Sequence, residues 1–155
     1  AENMALQPHL RRQCARMLRF DWSLARRQTR ELMEKFDVRA PAGKERTRAG
    51  NLSGGNQQKL LIARALEPRP LILVASDPTR GLDVGATQFV HQQLRRAADA
   101  GTAVLLLSTD LDEIFALCDR IGVLFCGELL PRDGLLSADA STHERVGQLM
   151  GGLEQ

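Results

Sequence analysis

The chain has 155 residues, of which 43% are hydrophobic and 26% are charged. This composition is ordinary for a globular protein, and the length suits one domain with a real hydrophobic core. The three cysteines form no C-x-x-C pair, which argues against a disulfide framework or a zinc site and favours a reducing compartment. No apolar run is long enough to cross a bilayer, and no secretory signal is recognisable. The first residue is Ala rather than Met, as expected for a piece of a longer protein.

The net charge of +2 conceals an uneven distribution along the chain. Residues 1–50 carry six more basic than acidic side chains, and residues 51–155 carry four more acidic than basic ones. A basic half can bind nucleic acid or an anionic membrane, with Arg11, Arg12 and Arg16 as candidate contacts; the simpler interpretation is a solvated helical face. With one Trp, five Phe and no Tyr, the sequence has few aromatic platforms for single strands, so no nucleic-acid partner is expected.

Hydrophobic periodicity predicts two helices over about 2–20 and 23–36, followed by a polar loop, RAPAGKERTRAGN. Ser53 is a candidate N-cap for a third helix that extends to about Glu67. The pattern then changes to short apolar runs typical of buried strands, at 71–75, 102–107 and 120–125, separated by predicted helices at 85–100 and 111–117. A turn at 126–128 and a last helix at 142–150 complete the prediction. Alternating strands and helices indicate an α/β fold with parallel strands.

The beginning of the third helix, Ser53-Gly54-Gly55, is unusual because glycine in a helix costs up to about 1 kcal/mol relative to alanine. Without a Cβ, the backbone N–H groups at a helix N-terminus can approach a phosphate closely, and the helix dipole favours the negative charge. The alternative is a helix cap with a permissive loop. The chain has no phosphate-binding loop of the pattern G-x-x-x-x-G-K-[ST]. Its one Gly-Lys pair, Gly43-Lys44, precedes Glu45 in a polar loop.

Two motifs and the strand between them carry a resemblance to a known family. LSGGNQQK at 52–59, then an apolar strand, then PTRGLDVGA at 78–86 resemble the second half of an ATP-binding cassette (ABC) ATPase, over essentially the whole chain. LSGG resembles the ABC signature, and Asp83 matches the D-loop. The NQQK and PTRGLDVGA variants, with AEN near the start and DLDEI at 110–114, look most like the second cassette of a bacterial importer for nucleosides or simple sugars.

This resemblance implies a fold class, a domain organisation and a set of partners. The fold class is α/β: the C-terminal portion of a P-loop NTPase parallel-sheet core with an N-terminal helical subdomain. Residues 1–67 would be the helical subdomain with the connecting loop and the signature-bearing helix, and residues 68–155 the C-terminal part of the core. The implied cofactors are ATP, shared with a partner cassette, and Mg²⁺ on the partner's side. Transmembrane permease subunits would hold the chain peripherally at the cytoplasmic face of the inner (plasma) membrane.

In this family two cassettes close head to tail on ATP. The resemblance therefore implies that the signature loop contacts the γ-phosphate of ATP held by the partner, through Ser53, Gly54, Gly55, Asn56 and Gln57. Asp83 is expected at the seam between the cassettes, although an aspartate at this position can also be a simple helix cap.

Three positions depart from the family pattern. If Pro78 fixes the register, Ser76 replaces the Walker B aspartate and Asp77 replaces the catalytic glutamate; in an alternative register Asp77 is the Walker B aspartate. A shorter side chain at the catalytic position matters, because a misplacement of about 1 Å can cost on the order of a hundredfold in rate. Thr109 occupies the position of the histidine that senses the γ-phosphate.

These departures predict that the ATP site built on this chain's own Walker motifs (its Walker side) is degenerate. Asp77 is only a weak catalytic candidate there, and no metal ligands are predicted. The chain would then complete the ATP site of a partner. The alternative is a non-hydrolysing regulatory or structural half-cassette that acts as a protein-interaction module.

Overall fold

The structure is a computed structural model that describes residues 1–5, 7–16, 19–40, 44–138 and 142–153. It contains two compact units, Ala1–Leu105 and Leu106–Gln155. The predicted division after residue 67 concerns subdomains of a cassette and stays a prediction. Gly43 of the Gly-Lys pair lies outside the described residues. Among the residues described, no helix combines the length and the apolar character needed to span a membrane.

The elements of the first unit are mainly helices followed by a strand–helix–strand segment, and the boundary between the units falls within the last strand. In chain order they are α1 (Glu2–Ala5), α2 (Pro8–Cys14), β1 (Ala15–Arg16), β2 (Arg19–Phe20), α3 (Trp22–Lys35), α4 (Gly54–Leu66), β3 (Ile72–Ser76), α5 (Val84–Asp99) and β4 (Ala103–Leu107). Two short 3₁₀ turns, Lys44–Arg46 and Ala49–Asn51, lie between α3 and α4.

The predicted first helix, 2–20, is wrong because two interruptions divide it. Pro8 has no backbone N–H to donate to a preceding turn, and it stands at the start of a new helix, α2. After Cys14 the chain turns into the β1–β2 hairpin, which is antiparallel. Apolar residues that suggested one continuous helix, Leu6, Met17 and Leu18, lie outside the described residues.

The predicted second helix is confirmed as α3. It begins at Asp21, whose carboxylate accepts a hydrogen bond from the backbone N–H of Leu24 at 3.0 Å. One face of α3 is buried and packs against α1, α2 and α4. This face includes a polar residue, Thr29, whose hydroxyl donates to the carbonyl of Ala25 at 2.8 Å and so satisfies its hydrogen-bonding requirement.

The predicted strands at 71–75 and 102–107 are confirmed as β3 and β4, which lie side by side. They are joined through α5, as parallel strands require. Their predicted burial holds on one face of β3 only, where Leu73 and Ala75 are buried, while Ile72 is 69% exposed and Val74 is 59% exposed on the other face. A continuous apolar run is typical of a strand covered on both faces. In this chain one face of β3 is uncovered among the described residues.

The second unit is built from short strands between two helices. Its elements are α6 (Leu111–Leu117), β5 (Arg120–Ile121), β6 (Val123–Phe125), β7 (Glu128–Leu130), β8 (Leu136–Ser137) and α7 (Thr142–Met150). The predicted helices at 111–117 and 142–150 are therefore confirmed.

The predicted strand at 120–125 is divided at Gly122. Its two halves pair antiparallel, β5 with β8 and β6 with β7, so the expectation that this strand continues a parallel pattern is wrong for the described pairs. A Cβ on Gly122 would lie 2.7 Å from Cδ2 of Leu135 and 2.9 Å from Cδ1 of Leu129. Only glycine fits at position 122 without displacing the side chains of Leu135 and Leu129.

The core of the second unit joins the strands to α7. It consists of buried aliphatic side chains, with parts of α6 packed against them: Ile121, Val123, Leu130, Val146 and Leu149. Helix α7 contributes two of these residues and is the element that closes the core.

We predict that Leu149→Ala lowers the free energy of unfolding by about 2–5 kcal/mol, because the fully buried side chain leaves a cavity. Urea-induced unfolding of the chain measures this difference. Leu124→Ala is the matched control, since Leu124 is 74% exposed and its truncation changes stability by no more than about 0.5 kcal/mol. Equal losses for both variants would contradict the described core.

Candidate functional site

Ser53 occupies the predicted N-cap position of α4, with φ −61° and ψ 157°, but its side chain does not cap the helix. The Ser53 hydroxyl oxygen instead accepts a hydrogen bond from Nδ2 of Asn56 at 2.8 Å. The first helical bond runs from the N–H of Gln57 to the carbonyl of Ser53. The N–H groups of Gly54 and Gly55 precede this bond and therefore point out of the helix end without intrahelical acceptors.

The two glycines of the loop have different surroundings. A Cβ on Gly54 would meet no atom within 4 Å, so this position faces open space among the described residues. A Cβ on Gly55 would lie 3.3 Å from the Cβ of Ala86, in the first turn of α5. Gly54 thus leaves the helix end open to an anion, whereas Gly55 allows the close approach of α4 and α5.

The turn after β3 carries Ser76 and Asp77. Ser76 is the exposed last residue of β3, and Asp77 has a φ of 43°, a left-handed conformation that Asp tolerates better than most residues. Nε2 of Gln58 donates to the carbonyl of Pro78 at 2.6 Å, which connects α4 to this turn. Among the described residues, no group of three or more His, Cys, Asp or Glu side chains could hold a metal ion.

Asp83 is the N-cap of α5, where its Oδ1 accepts a hydrogen bond from the N–H of Ala86 at 2.8 Å. The capping interpretation is therefore confirmed, and the role at a cassette seam stays a prediction. Because Ala86 also faces Gly55, the structure brings Asp83 close to the signature loop. Thr109 belongs to the second unit, where it is exposed just before Asp110, the N-cap of α6.

Comparisons with known proteins place this geometry in a family context. No family model matches the chain. It is 45% identical over 152 residues to the nucleoside import ATP-binding protein NupA of Lactococcus lactis subsp. cremoris (strain MG1363), which covers 98% of this chain and 29% of NupA. It is 46% identical over 129 residues to the guanosine import ATP-binding protein NupO of Bacillus subtilis (strain 168), covering 83% of this chain and 24% of NupO.

Among solved structures, a dimeric post-hydrolysis state of the ATP-binding cassette MJ0796 bound to ADP and Pi superposes with a TM-score of 0.66 at 24% identity. The match covers 90% of this chain and 56% of that one. The fold is that of part of an ABC ATP-binding cassette. The chain spans less than a third of the length of the curated relatives it matches and just over half of this cassette. The predicted fold class and family resemblance are thus confirmed.

Two polar side chains of the signature helix bond to this chain's own backbone. Oδ1 of Asn56 accepts a hydrogen bond from the N–H of Arg39 at 2.7 Å, and Nε2 of Gln57 donates to the carbonyl of Leu52 at 2.8 Å. The expectation that both residues contact ATP stays a prediction. The sequence indicated that these amides belong to the motif, but it contained no signal for Arg39 as a partner, because the two elements meet only in the folded chain.

Lys59 of the signature helix forms a second connection to the segment after α3, and the sequence interpretation missed it. Its Nζ lies 2.6 Å from Oδ2 and 3.1 Å from the carbonyl oxygen of Asp37, and 4.8 Å from the ring centroid of Phe89 on α5. Hydrogen bonds from Lys59 and then from Arg39 hold the pKa of the Asp37 carboxyl below its ordinary value. Lys59 therefore connects α4 with α5 and with the end of α3.

We predict that Lys59→Met raises the pKa of the Asp37 carboxyl towards its ordinary value of about 4. A depressed carboxyl pKa stabilises the fold above the ordinary value, and this contribution disappears as the pH falls through the lower folded value. The variant should therefore lose more stability at neutral pH than at strongly acidic pH, where the loss of the hydrogen bond to the Asp37 carbonyl and of the contact with Phe89 remains. NMR titration of Asp37 and urea unfolding at both pH values measure these effects. Lys35→Met, which removes an exposed lysine whose Nζ lies 5.5 Å from the ring centroid of Phe36, is the control for the Asp37 pKa. An unchanged Asp37 pKa in Lys59→Met would refute the described pairing.

Proposed function

We propose that this chain is part of the ATP-binding subunit of an ABC importer for nucleosides or simple sugars. In this proposal its signature loop completes an ATP site that is built on another cassette. The observation that carries the proposal is the open helix end at Ser53, Gly54 and Gly55, with Asp83 beside it, in a chain 45% identical to a nucleoside import ATP-binding protein.

The groups at this helix end fit a phosphate. The exposed Ser53 hydroxyl and the N–H groups of Gly54 and Gly55 are donors, and no side chain grows from either glycine to block the approach. Bound ATP would supply the γ-phosphoryl group on which water acts. The loop's contribution is to orient that group and to place neutral donors where negative charge lies, which are the main requirements of phosphoryl transfer.

In this proposal, the residues at this chain's own Walker B and histidine positions are poorly suited to ATP hydrolysis. Ser76 offers no charge to a magnesium shell, and Asp77 is a short carboxylate in a left-handed turn. Thr109 has a hydroxyl that can form hydrogen bonds, but it lacks the titratable imidazole of the family's histidine. We therefore assign Mg²⁺ and hydrolysis to the partner's Walker motifs, and we regard this chain's own site as degenerate.

Two observations support a role within a larger assembly. One face of β3 exposes Ile72 and Val74, and an apolar surface of this kind marks an interaction site. The chain aligns with 29% of the length of NupA and 24% of the length of NupO, so each relative is more than three times as long as the part that matches. The proposed partners are a second cassette and the transmembrane permease subunits. The basic excess of residues 1–50 suits a peripheral position near anionic lipid at the cytoplasmic face of the inner (plasma) membrane.

We expect no saturable binding in a calorimetric MgATP titration of the chain alone. When the importer's cassette with an intact G-x-x-x-x-G-K-[ST] loop is added, MgATP should drive association of the two. Ser53→Arg and Gly54→Asp should abolish this association, because they fill the open helix end and, for Asp, add a negative charge. Gly147→Asp is the matched control, since Gly147 is an exposed helical glycine of α7 whose added Cβ would also meet nothing within 4 Å.

Other results would change the proposal in defined ways. Micromolar MgATP binding by the chain alone, a free energy of about −8 kcal/mol, would mean that it has a phosphate site of its own. Association that is independent of ATP and unaffected by Ser53→Arg would favour the alternative, a half-cassette that acts as a protein-interaction module.

A further inference from the structure

The hydrogen bonds of Asn56 have a fixed direction. The N–H of Arg39 can only donate, so the amide atom that faces it at 2.7 Å is the Asn56 oxygen. The amide nitrogen must then face Ser53, and because it can only donate, the Ser53 hydroxyl oxygen accepts at 2.8 Å. The Ser53 hydroxyl thus receives one hydrogen bond from within the chain and keeps its own hydrogen for another acceptor.

We infer that Asn56 is a positioning residue, which orients the Ser53 hydroxyl as a donor towards the phosphate. This inference rests on the proposed function of the signature loop. A hydroxyl that already accepts from an amide is polarised, and its O–H becomes a stronger donor in a chain of hydrogen bonds. In this inference Asn56 acts through Ser53 and replaces the sequence prediction of a direct contact with ATP, because both ends of its amide are already bonded within the chain.

The other end of this hydrogen-bond chain, the N–H of Arg39, follows a buried residue that is bonded to α3. Arg39 follows Val38, which is buried and whose N–H donates to the carbonyl of Met33 in α3 at 2.8 Å. Its guanidinium also lies 3.2 Å from Oδ1 of Asp37, and Asp37 in turn accepts from Lys59. The N–H of Arg39 therefore belongs to a segment that is bonded to α3, and its position can fix the orientation of Asn56 and, through it, of Ser53.

Two substitutions of Asn56 separate positioning from simple structural support. In Asn56→Asp the carboxylate still accepts from the N–H of Arg39, but its second oxygen can only accept, so it takes the hydrogen of Ser53 and turns the hydroxyl lone pairs outward. In Asn56→Ala both bonds are lost and the hydroxyl rotates freely. A structural role predicts that Asp is tolerated and Ala is not, whereas a positioning role predicts that Asp is at least as harmful as Ala.

The test measures MgATP-driven association of the full chain with the cassette that carries an intact G-x-x-x-x-G-K-[ST] loop. Hydrogen exchange of the Arg39 amide is measured by NMR in the chain alone. In Asn56→Asp we expect a protected Arg39 amide and an association weakened by about ten- to a hundredfold, as for a lost hydrogen bond to a charged group. In Asn56→Ala we expect faster exchange of the Arg39 amide. Asn51→Asp, at an exposed position two residues before Ser53, measures the effect of the added charge alone.

A double-mutant cycle with Ser53→Ala completes the design. If Asn56 acts through Ser53, Asn56→Asp should weaken association in the Ser53→Ala background no more than Asn51→Asp does. An effect of Asn56→Asp that equals that of Asn51→Asp in the wild-type background would overturn the inference while the proposed function stands. If Ser53→Ala and Ser53→Arg both leave association unchanged, the proposed function itself fails, and this inference fails with it.

Discussion

The close approach of α4 and α5 at Gly55 is the constraint on which the candidate site depends. Gly55 allows Ala86 to come within 3.3 Å of where a Cβ would lie, and so the N-terminal ends of both helices lie together. One end presents the signature loop and the other presents Asp83, while Gln58 connects the same helix to the turn after β3. The loop therefore takes its position from packed helices, which hold a site more precisely than a free loop could.

A polar layer adds a second connection, between α4 and the segment that follows α3. Lys59 is only 14% exposed and bonds to Asp37, and Asn56 accepts from the backbone of Arg39. Bonds of this kind stabilise little when they are exposed, but they fix direction as well as distance. The helical packing sets where the signature loop lies, and the polar layer sets which atoms of Ser53 face outward. Positioning and orientation thus come from different interactions.

The features that the sequence predicted correctly are those with local signals. Helix α6 begins at an aspartate cap and matches its predicted bounds, and β3 follows from a short apolar run. The predicted helix 2–20 failed because Pro8 and a hairpin interrupt a periodicity that resembles one long helix. Motif order made Ser53 and Gly54 candidate site residues, which stays a prediction, but the partner of Asn56 lies 17 residues away on another element. Spacing along the chain carries no information about such a contact.

In the proposed function, the chemistry of the loop would explain how a cassette can lack charged residues at its own Walker positions and still contribute a signature loop to a partner's ATP site. The groups of the loop are a hydroxyl and backbone N–H donors at a helix end, and none of them titrates near neutral pH. Neutral donors can meet a highly charged phosphate without the cost of burying an unpaired charge, and the helix dipole supplies the favourable field. Their geometry depends on Gly55 and Asn56, and the bonds described for the loop involve neither the Ser76 nor the Asp77 side chain. In the proposed function, the signature loop can therefore keep its donors when the side chains at positions 76 and 77 change, as long as the backbone bond between Gln58 and Pro78 is kept.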